Sequence, residues 1–358
     1  MMMTRWMAIC LWVLVSSATL HAADEITLFE QGLATEPVAH EKPPIEYPHN
    51  AQSAGIEGWL VVEFTVDTDG STSDVVIRSR SIDGIFEDAA QRSVSNWTYD
   101  PATLDGEPVA TRHQTRMIYA MSGQKDAVSN GFARQATFIG HSLSRDKLEK
   151  AWKQIGKLDG RRQRTLAETC YVDFWKAEYY RRSGDLEKAA EHFDRALVIA
   201  DVAVSPAVHE HMLRSAIEFD AKVNHVGAAL ASYDELIEVT GKLPDDDPAR
   251  QLAARLEQLR DSNEPIELAA SLEPCEYCKK PGQLAWHHTL ARSRFSFGEV
   301  PASIDEVEVW CDEHSVTFAA QPGKTYSLAN AAESGECSLS VYGDAPDSFA
   351  FSELSSVN

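Results

Sequence analysis

Leu60, Val62, Phe64 and Val66 are apolar at every second position, with Val61, Glu63 and Thr65 between them. That period-two alternation is the pattern of a strand with one buried face. Asp67-Thr68-Asp69-Gly70 follows, supplying the short polar side chains and the glycine that a tight reversal needs. Val75 to Ser79 then reads as the returning strand of a hairpin. Phe86, Ala89, Ala90, Val94 and Trp97 fall at helical spacing, so one apolar stripe can lie on the hairpin. Pro101 cannot continue that helix. After a turn at Gly106-Glu107-Pro108, Val109 to Tyr119 supplies a long last strand rich in Thr and Arg. The order predicted is β-β-α-β, a small unit with an exposed sheet edge.

The stretch also carries Pro43-Pro44-Ile45-Glu46-Tyr47-Pro48, Ala54-Gly55-Ile56-Glu57-Gly58 and Tyr99-Asp100-Pro101-Ala102. With these parts in this order, residues 43–120 resemble the TonB carboxyl-terminal domain family, within a unit expected to run over 43–122. The resemblance implies a binding domain rather than a catalyst. It implies capture of a short extended segment of envelope proteins, TonB-dependent outer-membrane transporters among them, by strand addition to the sheet edge. The residues carried over are Ala110, Arg112, Gln114 and Arg116 of the last strand, on the face opposite Val109, Thr111, Met117 and Tyr119. His113 and Thr115 stand where the pattern calls for apolar residues. Such edges also pair with themselves, so a homodimer through this edge is a further expectation.

Ahead of this unit, Arg5, the apolar run Trp6 to Val15 and the small residues Ser16 to Ala23 read as a cleaved signal peptide over residues 1–22, with 23–42 as a linker. The apolar run is short for a membrane span of ~20 residues. A periplasmic location is therefore expected, an inner-membrane anchor facing the periplasm being the alternative. The long Pro-rich spacer of a TonB energy transducer has no counterpart in 23–42.

Residues 131–262 read as a second unit. Ala177, Tyr180, Gly184, Ala189, Phe193 and Ala196 occupy the small and aromatic packing positions of a tetratricopeptide repeat, with Gly184-Asp185 at the turn. Ala229, Tyr233 and Leu236 repeat the second-helix pattern at a period longer than the usual ~34 residues, so Asp201 to Pro206 is expected to hold an insertion. Leu148 to Leu158 and Leu252 to Leu259 are expected as flanking helices. Arg161-Arg162-Gln163-Arg164 reads as a solvated helix face, and His209-Glu210-His211 as a solvated helical turn without metal spacing.

Residues 265–358 read as a β-rich, sandwich-like domain with strands at Arg294 to Phe297, Val307 to Cys311, Ser315 to Phe318 and Cys337 to Val341. Of six cysteines, Cys10 lies in the signal segment. In an oxidising compartment the expected pairs are Cys311 with Cys337 and Cys275 with Cys278, leaving Cys170 as a buried helical thiol. Cys275-Glu276-Tyr277-Cys278 also admits a redox pair or, with His287 or His288, part of a zinc site. Pro274 and Lys279-Lys280-Pro281-Gly282 favour a loop.

The whole is an α+β multidomain chain. At 358 residues and 44% hydrophobic content it is long enough for two or three domains. A formal charge of -22 argues against nucleic acid as a partner. Neither a phosphate-binding glycine loop nor a strand-turn-helix serine elbow is present, so neither an enzyme nor a cofactor is expected. The function read here is a periplasmic TonB-like interaction module with helical repeats for a second partner. The alternatives are a thiol-active or zinc-binding envelope protein centred on Cys275 and Cys278, and an envelope scaffold without peptide capture.

Overall fold

The structure is a computed structural model that describes residues 25–29, 34–121, 123–161, 163–275, 278, 282–311, 314–328 and 337–355. The signal-peptide reading and Cys10 lie outside the described residues. The segment 23–42 is not a plain linker. It carries β1 (Glu25–Thr27), paired with a strand near the far end of the chain, and β2 (Val38–Glu41), paired with a strand of the first unit.

That unit begins with α1 (His49–Ala54), closed by Gly55 in the left-handed region. It continues through β3 (Gly58–Val66) and β4 (Thr72–Arg80). Gly70 N donates to Asp67 O and Asp69 Oδ1 accepts from the Ser71 amide, which locks the reversal. Gly70 has φ 82, and a Cβ there would sit 2.0 Å from the Tyr99 carbonyl oxygen, so both conformation and space require glycine. Helix α2 (Glu87–Val94) is shorter than its apolar stripe, because the Glu87 carboxylate caps the Gly84 and Phe86 amides and starts the helix there. Phe86 and Trp97 flank it and are buried all the same.

Then come β5 (Thr98–Asp100), which takes β2, the small hairpin β6 (Thr103–Leu104) and β7 (Glu107–Pro108), and β8 (Thr111–Tyr119). The last strand starts at Thr111 rather than Val109, because the Val109 amide donates to Ala102 and closes the hairpin loop. The sheet order is β4-β3-β8. Leu60, Val62, Phe64, Val66, Ala90, Val94, Trp97, Met117 and Tyr119 form its core, and Phe86 stacks on Tyr119 at 4.2 Å. His113 is buried in that layer, 5.9 Å from the Phe64 ring, and fills the slot of an apolar residue.

Helices α3 (Asn130–Leu143), α4 (Leu148–Asp159), α5 (Leu166–Ser183), α6 (Leu186–Leu197), α7 (Ala200–Ala203), α8 (Pro206–Lys222), α9 (Val226–Thr240) and α10 (Pro248–Arg260) follow. α5 packs on α6, and α8 on α9. Gly184 ends α5 in the left-handed region and the Asp185 side chain caps α6. The segment expected as an insertion contains most of α7 and the proline that opens α8. Two local readings change. Arg164 lies between helices, buried, with Nη1 3.0 Å from Asp159, so its charge is paired rather than solvated. His209 is buried too, its Nε2 3.0 Å from Glu235.

The final strands are β9 (Ile266–Ser271), β10 (Glu273–Pro274), β11 (Leu284–Leu290), β12 (Arg294–Phe297), β13 (Ile304–Cys311), β14 (His314–Phe318), β15 (Thr325–Ser327), β16 (Cys337–Gly343) and β17 (Ser348–Leu354). They form two five-stranded sheets, β1-β15-β12-β17-β9 and β10-β11-β16-β13-β14, over one core of residues such as Trp286, Phe295, Phe297, Val309, Leu339 and Phe351. The disulfide Cys311–Cys337 joins directly opposite residues of β13 and β16, and Cys275–Cys278 closes a local loop. Cys170 is a buried free thiol, and burial pushes its pKa up.

Candidate peptide-binding edge

β8 pairs with β3 through nine consecutive residue pairs, Val66 with Thr111 to Gly58 with Tyr119, without a shift in register. Its other side is the rim of the sheet. The opposite rim, β4, is built differently. Its pairing with β3 shifts twice, and Asp74 adopts φ 49. Bulges of this kind twist an edge away from further pairing. Of the two rims, β8 is the regular one.

The carried-over residues divide. Ala110 is exposed and precedes the strand, and Gln114 is exposed within it. Arg112 pairs with Glu63 of β3 and with Glu308 of β13, and its guanidinium lies 4.7 Å from the Trp310 ring centroid. Arg116 reaches the Asp201 carboxylate at 2.8 Å and the Val198 carbonyl in the helical array. Arg78 on β4 pairs with Glu63 and approaches Glu308 at 3.5 Å. The Tyr342 hydroxyl donates to Glu308 at 3.3 Å, and burial, with the Glu308 charge, raises its pKa to about 12. Two carboxylates and two guanidiniums thus share a layer between sheets, where Glu308 is fully buried.

The alternation read as one buried face is therefore incomplete. Trp59 is fully buried in the core of the helical array, and Val61 and Ile118 pack against the same cluster. Arg195 of α6 lies over the Trp59 ring and donates to the Arg80 carbonyl. Asp173 holds Arg195 and His192 from α5. Burial pushes its pKa up, but the Arg195 charge and the hydrogen bond with His192 outweigh burial and keep it well below the usual carboxylate range. Glu57, also buried, accepts from the Met121 amide just past β8 and from the Leu166 amide at the start of α5, which satisfies one of that helix's free N–H groups. The signal missed in the sequence was the large apolar Trp59 on the nominally polar face.

The cysteine pair offers less. Cys275 and Cys278 are joined, and the histidines point elsewhere. His287 Nδ1 lies 2.8 Å from Ser340 Oγ, while His288 Nε2 meets Glu353 at 2.9 Å. Among the described residues no group of three or more His, Cys, Asp or Glu is placed to hold a metal ion.

Sequence comparison decides which family this unit matches. Residues 43–121 match the Gram-negative bacterial TonB protein C-terminal family. Two relatives match part of this chain. Protein TonB of Vibrio cholerae is 28% identical over 104 residues, which is 27% of this chain and 43% of that protein. Protein TonB of Pseudomonas aeruginosa is 32% identical over 77 residues, 22% of each. The chain thus spans less than half the length of the curated relatives it matches. The solution NMR structure of Pseudomonas aeruginosa TonB CTD aligns at 24% identity over 25% of this chain and 89% of that one, with a TM-score of 0.22. Among the described residues no helix is long and apolar enough to cross a membrane.

Proposed function

We propose that this chain is a TonB-like interaction module of the bacterial envelope, facing the periplasm, that takes up an extended peptide by strand addition along β8. The observation that carries this reading is the nine-residue, in-register strand at the rim of the TonB-like sheet. Main-chain hydrogen bonds would supply the affinity, and Gln114 is the exposed side chain beside them. Arg112 and Arg116 act as struts in this reading, fixing the edge against the sandwich and the helices before a peptide arrives. A segment of an outer-membrane transporter is the partner that the family resemblance suggests. The tetratricopeptide-like hairpins would offer a surface to a second protein, and the reading involves no catalysis.

One observation favours a second reading. Arg112 and Arg116 are committed to other parts of the same chain, as a scaffold that never opens would require. Hydrogen exchange on the full-length protein separates the two. Added transporter-derived peptide should slow exchange of amides between Thr111 and Tyr119 under strand addition. Unchanged exchange there at millimolar peptide refutes it and leaves the scaffold.

A further inference from the structure

β15 would be a rim of its sheet were it not covered by residues 25–29 of the same chain. Three devices hold that segment. Glu25, Ile26 and Thr27 run parallel to Thr325, Tyr326 and Ser327, and the Leu28 amide donates to the Ser327 carbonyl at 2.8 Å. The Glu25 carboxylate meets Arg294 Nη2 at 2.9 Å, and Arg294 is itself fixed by the Ser355 carbonyl at 2.6 Å. Leu28 is 5% exposed and enters the sandwich core, with Ile26 and Phe29 packed at its margin. Phe29 has φ 58, a strained conformation for a bulky residue. A three-residue strand followed by a left-handed phenylalanine has no local means of holding this shape, so the sandwich imposes it.

We propose that the rim of β15 is a strand-acceptor site, specific for an extended peptide with a carboxylate three residues ahead of a large apolar side chain. Residues 25–29 are its occupant in cis. The site is separate from β8, and residues 34–41 of the same chain are held on other parts of the molecule. The Ala34 carbonyl lies 3.0 Å from His314 Nε2, Thr35 bonds with Thr103, and β2 pairs with β5. A peptide of the same chemistry on another protein would compete for the site and release residues 25–29 from β15.

The test uses the full chain with a protease site placed within residues 30–33 and cut after folding, so that the tether no longer supplies effective concentration. The probe is a fluorescent peptide of the sequence from Asp24 to Glu30. Saturable binding to the cut protein, much weaker to the intact one, supports the site, as does persistent protection of β15 amides by the severed strap. A Leu28→Asp peptide should bind about tenfold or more weakly, having lost the burial of one leucine. A Glu25→Lys peptide should lose about threefold or more. Loss of β15 protection on cutting, with no restoration by millimolar peptide, overturns the proposal. Equal, saturable binding to cut and intact protein, with β15 protection lost on cutting, does the same. In an uncut full-length Leu28→Asp variant, exchange should rise at β15 while β8 is unaffected. Unchanged β15 exchange in that variant overturns the proposal without touching the reading of β8.

Discussion

Replacing Arg112 by alanine removes two ion pairs and one ring contact at once. Glu308, with a side chain that is 0% exposed, keeps Arg78 at 3.5 Å and the Tyr342 hydroxyl at 3.3 Å, but loses its nearer cation. Removing one partner of a buried ion pair costs up to about 3–5 kcal/mol. The Arg112 side chain is 26% exposed, so water can enter where it stood, which brings the figure to about 2–3 kcal/mol. Loss of the Trp310 contact adds about 0.5–1 kcal/mol. The total is about 3 kcal/mol, concentrated where β8 meets β13. Glu308→Gln should cost about half as much, because both guanidiniums keep Glu63 and a neutral amide tolerates burial. Several domains make a single unfolding free energy ill-defined, so the assay is hydrogen exchange resolved to β8 and β13, with thermal unfolding alongside. A double-mutant cycle isolates the coupling between Arg112 and Glu308. If Arg112→Ala costs less than about 1 kcal/mol and its effects simply add to those of Glu308→Gln, the TonB-like sheet is not held on the sandwich by this layer, and the strut argument fails.

Gly227 of α9 faces β11 so closely that a Cβ would lie 2.2 Å from the Thr289 carbonyl oxygen. Gly227→Ala should therefore destabilise the seating of α9 on the sandwich by about 1–3 kcal/mol, read as faster exchange in β11. Removing the Cys311–Cys337 bridge, whose sequence separation is 26, as a Cys311→Ala, Cys337→Ala variant should cost about 3–4 kcal/mol, read as faster hydrogen exchange in β13 and β16. In a chain expressed from Asp24, a thiol reagent should find no reactive group in the folded, unreduced protein and one, Cys170, after unfolding. Burial lowers the pKa of His225, but the Asp220 carboxylate beside it, with Glu187 and Asp194, outweighs burial and holds it above the ordinary value. The stabilisation from that charge is fully present below the unfolded pKa of about 6.5 and is lost as pH rises through the higher folded value. Exchange at the start of α9 should accelerate over that rise, and His225→Ala should reduce the dependence, the remainder coming from the buried Asp194 and Asp220 carboxyls, whose raised pKa values also cost stability as they ionise.

Local pattern made much of this molecule legible. The alternation from Leu60 to Val66, the Asp67–Gly70 reversal and the helical stripe ending at Trp97 each carry their own geometric demand, so the TonB-like order of elements could be read directly. Gly184-Asp185 likewise marked a helix end and the next cap, because a left-handed residue and an N-cap are needs of the backbone itself. The strands β9, β11 and β17 were not read, and β1 lay in what looked like a linker. β1 exists only because Thr325 to Ser327 lie beside it, and nothing within Glu25 to Thr27 announces a partner three hundred positions away.

The candidate site divides in the same way. That the last strand carries Arg112, Gln114 and Arg116 on one face follows from its period of two, and the structure pairs them through β3 with Thr65, Glu63 and Val61. What those arginines touch does not follow. Glu308, Trp310 and Asp201 are brought to them by the docking of the sandwich and the helices, and a solvated arginine and a paired strut are the same letter in a sequence. The sequence by itself determined the first hairpin, the helical stripes and the turns that close them, since these depend on neighbours within a few residues. Only the tertiary structure decided which faces are covered, which rim stays regular and which charges are paired, because those depend on contacts whose chain separation leaves no periodic trace.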